Sequence, residues 1–140
     1  MTDTIDFKAL VAAAMAIRER AYAPYSNYHV GAALLTPSGK IFVGANVENA
    51  AYPQGACAET CAIGTMIAGG ERRLTAVAVI GSGPDLCTPC GGCRQRLFEF
   101  GPAETPVAIA AADGTFEVVT LGELLPRAFG PNHLPDAPPA

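Results

Sequence analysis

Runs of Lys or Arg are missing from this sequence. Nine basic residues face thirteen acidic ones, for a formal net charge of -4 and a pI near 5.0. The electrostatic footprint of a protein that grips a nucleic-acid polymer is therefore absent. A small neutral ligand suits this balance better. Charge of either sign is scarce, at 16% of residues, while half are hydrophobic. That excludes a disordered chain and predicts a compact globule. No apolar stretch is long enough to span a bilayer without Gly, Pro or a charge breaking it. The start, "MTDTIDFKAL", lacks a basic region followed by an apolar one, so it does not read as a secretory signal. Histidine is limited to His29 and His133. Cysteine is present in an odd number, five. Without an export signal, a disulfide framework is disfavoured and metal binding or catalysis gains weight. The expected compartment is the cytoplasm.

The 140 residues fit one domain with one core. "DFKALVAAAMAIRERA" places Phe7, Leu10, Val11, Ala14, Ile17 and Ala21 on one helical stripe, ended by Pro24. "HVGAALLTPSGKIFVGANV" reads as two strands around Ser38-Gly39. A helix is predicted from near Cys57 to about Gly69, with the Gly-Gly pair as its stop. "LTAVAVIG" is a buried central strand. A further helix runs from about Gly91 to Phe100, and "PVAIAAADGTFEVVT" is a second strand pair around Asp113-Gly114. "LGELLPRAF" reads as a short helix and loop. The order α-β-β-α-β-α-β-β predicts an α/β fold, a three-layer α/β/α sandwich with a mixed five-strand sheet. Residues 1–130 form a single catalytic domain in this reading. Residues 131–140 form a Pro-rich tail, extended or frayed at its tip.

Two stretches carry the chemistry, "GACAETCAIG" and "TPCGGCRQ". If Cys90 begins a helix, Cys90 and Cys93 project on one face and can share a metal. Cys57 stands at the start of the earlier helix. Helix starts beyond the C-terminal ends of strands collect ligands in α/β folds, so the two N-termini are expected to converge. Both would help hold thiolates deprotonated. Three thiolates suit Zn2+ and leave a fourth tetrahedral position for water, as in a catalytic site. So much thiolate charge weakens the metal as a Lewis acid, and such a site wants a nearby base. Glu59 is placed to serve. On a regular helix residues i and i+2 diverge by about 200°. The pairing with Cys57 therefore requires Cys57 to occupy the non-helical cap position.

Cys-x-Glu followed by Pro-Cys-x-x-Cys is the known arrangement of the zinc deaminases, including their three-cysteine form. The sequence resembles the small, single-domain, homotetrameric cytidine deaminase family. The resemblance runs from "AYAPYSNYHVGAALL" through "GANVENAAYPQGACAE" and "PCGGCRQ" to "ELLPRAFG". It implies that Cys57, Cys90 and Cys93 bind one Zn2+ per subunit and that Glu59 is the general acid/base. The reaction it implies is hydrolytic deamination of cytidine and deoxycytidine to uridine and deoxyuridine, with release of ammonia, in pyrimidine salvage. Glu59 would carry a proton from the attacking water to ring N3 and a further proton to the leaving amine. Asn46 and Glu48 of "NVENAAYP" would hydrogen-bond the ribose 3′-hydroxyl, with Val47 and Ala58 also on the substrate side. Tyr28 stands where relatives often carry Phe beside the base. Phe129 matches an aromatic that reaches into a neighbouring subunit's site, so the active site would need the oligomer. One departure is Thr60, where many relatives carry an Arg that donates to the thiolates. Arg94 is one candidate to replace it, and the two helix N-termini another.

The plainer readings of these residues differ in weight. Cys61 and Cys87 are expected as buried hydrophobes. His29 and His133 suit surface or packing roles. A lone Glu near a helix start is usually a surface residue complementing the dipole, and the flanking cysteines reverse that for Glu59. Tyr28 and Phe129 are packing residues when judged without the family. Three rival functions remain open. A deaminase of modified cytosine nucleosides such as blasticidin S shares the metal motifs but not "NVENAAYP". A structural zinc or thiol-redox module is the second, and a structural zinc site should have a fourth protein ligand, such as Cys61 or Cys87. An editor of polynucleotides conflicts with the acidic balance.

Overall fold

The computed structural model describes residues 4–137. Helix α1 (Phe7–Arg18) begins at Asp6, whose carboxylate accepts from the Ala9 N–H at 3.0 Å. Strands β1 (Gly31–Leu35) and β2 (Ile41–Ala45) form the first hairpin. Helix α2 (Ala58–Ala68), strand β3 (Ala76–Ile80) and helix α3 (Gly91–Phe98) follow. Strands β4 (Pro106–Ala110) and β5 (Phe116–Thr120) form the second hairpin, and the short helix α4 (Leu121–Leu124) follows at once. The turns of both hairpins use a glycine in the left-handed region, Gly39 at φ +86 and Gly114 at φ +93.

The five strands form one sheet in the order β2-β1-β3-β4-β5. β3 and β4 are parallel and every other pair is antiparallel, so the sheet is mixed as expected. β3 lies in the middle and all five of its residues are buried. Its side chains divide between two cores by strand alternation. Val77 and Val79 face α2 and α3, joining Ala62, Met66, Leu97 and Leu121. Ala76, Ala78 and Ile80 face α1, joining Leu10, Val11 and Ala14. Three layers result.

The α1 face is built from small residues, and the helix sits very close to it. A Cβ on Gly31 would lie 2.0 Å from the Ala14 carbonyl oxygen. α1 stops at Arg18, well before Pro24 and before the end of the expected stripe, so Ala21 lies outside the helix. Two interactions end it. The Arg18 guanidinium donates to the carbonyls of Gly81 at 2.8 Å and Ala112 at 3.2 Å. Tyr22 then runs extended, its N–H on Asn46 O and its carbonyl accepting from Glu48 N. Backbone pairing with the loop after β2 outweighs the helical pattern there. In the C-terminal segment, Pro131–His133 form a single 3-10 turn. The expected fraying at the very tip concerns residues 138–140, which lie outside the described residues.

Register explains where ligands can gather. Ala45, the end of β2, pairs with Gly31, which in turn pairs with Ile80, the end of β3. Ile80 neighbours Ala110, the end of β4. The loops leading to α2 and α3 therefore leave from one end of the sheet. No helix among the described residues is long and apolar enough to cross a membrane.

Candidate active site

Cys57 is the N-cap of α2, with extended backbone at φ -72 and ψ 157. The cap condition set by the Cys57–Glu59 spacing is met. Cys57 O accepts the first helical bond, from Cys61 N at 3.1 Å. The helix is held tightly onto β2, because Gly44 carries no side chain. A Cβ there would lie 2.3 Å from Ala62 N and 2.6 Å from Ala58 O. Ala58 is fully buried at that contact and Glu59 is only 3% exposed. Val47 fixes the approach to the helix by exchanging two backbone bonds with Ala56, at 2.9 and 2.8 Å.

Cys90 plays the matching part at α3, as an N-cap with φ -65 and ψ 166. Cys93 lies one turn on and is completely buried. Arg94 braces this entry from behind. Its Nε donates to Pro89 O and its Nη1 to Leu124 O, both at 2.8 Å. The guanidinium that reaches the cysteines belongs instead to Arg96, whose Nη1 lies 3.8 Å from Cys93 Sγ. Thr60 Oγ1 lies 4.0 Å from the same sulfur.

The three sulfurs of Cys57, Cys90 and Cys93 lie within 4.8 Å of one another, with Cys57 and Cys90 4.0 Å apart. A zinc tetrahedron with Zn–S bonds of about 2.3 Å has edges of about 3.8 Å, so the donor set fits a zinc ion. Among the described residues no fourth Cys, His, Asp or Glu joins the group, as an open catalytic site requires and a closed structural one does not. Cys61 and Cys87 are half-buried and outside it. Burial pushes the Cys57 and Cys93 thiols above the ordinary value, and the Glu59 charge adds to both. Burial also acts on Cys90, but hydrogen bonds from the Cys93 backbone and from the neighbouring thiols outweigh it and bring that thiol down. Such a cluster resists full ionisation by itself, and a divalent cation relieves the conflict. Burial likewise raises the Glu59 carboxyl, toward the range in which a carboxyl can both take and give a proton.

The expected substrate side forms a second cluster at the same end of the sheet. Asn46 closes the loop before β1 with both ends of its amide. Its oxygen accepts from Val30 N and its nitrogen donates to Tyr28 O, each at 2.9 Å. One donor and one acceptor position remain for a ligand. The Glu48 carboxylate accepts from the N–H groups of Tyr25 (2.9 Å) and Ser26 (3.1 Å) and from the Ser26 hydroxyl. Tyr28 presses its hydroxyl over Gly81, where a Cβ would come within 2.2 Å of it. Burial and a hydrogen bond with Cys87 push its phenol up to about 12. Val47 keeps an exposed side chain. Phe129 is exposed, stacked on His133 at 4.9 Å, and its carbonyl accepts from Gln95 at 2.7 Å. It lines a cavity of about 420 Å³ with Glu99, Pro131 and Leu134. His133 is a packing residue, and His29 is tied to Ser82 through its backbone. Ser26 and Arg96 escaped the sequence reading. A serine in a loop carries no spacing signal, and Arg96 stands where a last-turn basic residue ordinarily complements the helix dipole.

The pattern of the cytidine and deoxycytidylate deaminase zinc-binding region matches residues 5–109. The chain belongs to this family. Zinc is its cofactor. Its sequence is 42% identical to a cytidine deaminase of Halalkalibacterium halodurans over 125 residues, covering 89% of this chain and 95% of the relative. It is 37% identical to the cytidine deaminase of Mycobacterium tuberculosis over 131 residues, covering 94% and 95%. The crystal structure of cytidine deaminase from Burkholderia pseudomallei superposes with a TM-score of 0.85 at 46% identity, covering 89% of this chain and all of that one. The α/β fold and mixed five-strand sheet are thus those of cytidine deaminase structures.

Proposed function

We propose that the chain hydrolyses cytidine and deoxycytidine to uridine and deoxyuridine with release of ammonia, as a zinc-dependent enzyme of pyrimidine salvage in the cytoplasm. The observation that carries this reading is a buried carboxyl, Glu59, on the first turn of the helix capped by one of three clustered cysteines. Cys57, Cys90 and Cys93 would hold the zinc, which would acidify the attacking water. Glu59 moves the protons. It accepts one from the attacking water and delivers it to ring N3, which makes C4 electrophilic. It then takes the second proton from the new C4 hydroxyl and passes it to the departing amine, so that water adds, the C4–N bond breaks, ammonia leaves and the carboxylate is regenerated. Burial of Glu59 keeps bulk water from competing for those protons.

Asn46 and Glu48 are assigned to the ribose 3′-hydroxyl, and Tyr28 and Val47 to the walls around the base, whereas Ala58, fully buried against β2, offers no side-chain surface to a ligand. The spare donor and acceptor on Asn46 support this, and Glu48 is held ready by Ser26. A site built to hydrogen-bond a hydroxyl rejects strongly the analogue that lacks it. Phe129, exposed within one subunit, is assigned to a neighbour's site in a homotetramer. The acidic balance supports a free nucleoside over a polynucleotide.

The assay is ammonia and uridine formation by the zinc-loaded protein. Cytidine, deoxycytidine, 3′-deoxycytidine and a cytosine-containing single strand are compared. Turnover of the first two and failure of the last two is the expected result. Turnover of modified cytosine nucleosides alone, by protein carrying full zinc, would overturn the substrate assignment.

A further inference from the structure

Three thiolates on a dication leave a net charge of -1, and the Glu59 carboxylate lies beside them. Position 60 contributes only a hydroxyl, 4.0 Å from Cys93 Sγ. Arg94 turns away to two carbonyls. One guanidinium does reach the cluster, that of Arg96, at 3.8 Å from the same sulfur. Its geometry is a consequence of α3, since residues three apart share a helix face. Gly92 leaves the path clear, because a Cβ there would stand 3.1 Å from Arg96 Nη1. Among the described residues Arg96 has no carboxylate partner within ion-pair distance. Its Nη1 is directed at sulfur, and its charge also draws the Glu59 carboxyl down against the effect of burial.

We infer that Arg96 is the positioning residue that tempers the thiolate charge of this metal site, acting through Cys93. A hydrogen bond to a thiolate withdraws electron density from the sulfur, which then donates less to the metal and leaves it a stronger Lewis acid. Arg96 thus counters the weakness of a three-thiolate centre. Arg96 and Thr60 approach one sulfur from two helices, so a guanidinium introduced at position 60 should substitute for Arg96. This inference rests on the cysteine trio as a metal site.

The test replaces zinc by cobalt(II) and reads the sulfur-to-cobalt charge-transfer band, together with kcat, KM and metal content. In Arg96→Gln the band is expected to move to longer wavelength, because an unbonded thiolate gives up its electron more easily. kcat of the zinc form is expected to fall roughly tenfold, as for loss of a group that supports a metal ligand, with KM and metal content unchanged. Arg96→Lys should retain part of both effects, and Thr60→Arg in the Arg96→Gln background should move the band back. A band that stays in place in Arg96→Gln overturns the inference, even if kcat falls, because the residue would then be merely structural. If Arg96→Gln does not fold, Thr60→Arg alone decides. A second guanidinium should shift the band to shorter wavelength, and no shift overturns the inference. Absence of any charge-transfer band in the cobalt form of the native sequence would instead sink the metal reading itself.

Discussion

The Glu48 carboxylate is held by groups 22 and 23 residues away in the chain, the Ser26 hydroxyl and the N–H groups of Ser26 and Tyr25. The Ser26 hydroxyl is the main reason its carboxyl lies below the ordinary value of 4.5. A carboxyl lowered on folding contributes stability that is complete above the ordinary value. That contribution disappears as pH falls through the folded value. Ser26→Ala should therefore move the Glu48 titration back toward 4.5, read by carboxyl NMR, and raise KM for cytidine. An unmoved titration would remove Ser26 from the site. For the cysteines the expectation concerns the metal. Cys93→Ser puts a weaker donor at the fully buried corner of the trio, and metal analysis should find less than one zinc per chain with activity lost in proportion.

At the scale of the element, the close seat of α2 on β2 sets where Cys57 and Glu59 stand. Gly44→Ala would drive a methyl into the backbone at Ala58 and Ala62. A loss of about 1–3 kcal/mol is expected from the urea midpoint, with kcat reduced because the helix start shifts. Unchanged stability would mean that α2 is not held there. Most elements were legible in the sequence because their signals are local. Alternation, Ser38-Gly39, Asp113-Gly114 and the cysteine spacing mark strands, turns and helix starts directly. The end of α1 was not legible. Its pattern continues past Arg18, and what stops it is pairing with a loop more than twenty residues later. Arg96 was hidden for a related reason. Helical spacing puts residue 96 on the Cys93 face, but only the packing of α2 and α3 shows that no other cation among the described residues reaches the sulfur.

Across the whole molecule, Phe129 is an exposed aromatic beside a cavity of about 420 Å³. If Phe129 completes a neighbouring site, Phe129→Ala should be nearly inactive. Mixed with inactive Glu59→Gln subunits and reassembled, it should regain activity, because hybrid tetramers contain sites with both residues. Sedimentation of the native chain should give the tetramer mass. No recovery in hybrids of confirmed mixed composition would place Phe129 outside the site.

If one buried carboxyl moves the protons at a site held by three cysteines, turnover of cytidine by Glu59→Gln, with zinc content matched to the native chain, reads it without intermediaries. General acid–base contributions of this kind are worth on the order of a hundredfold to ten-thousandfold, and the variant should lose at least that much while keeping its zinc and its fold. A zinc-loaded variant that still forms uridine at the native rate would leave Glu59 with no part in the proton transfers.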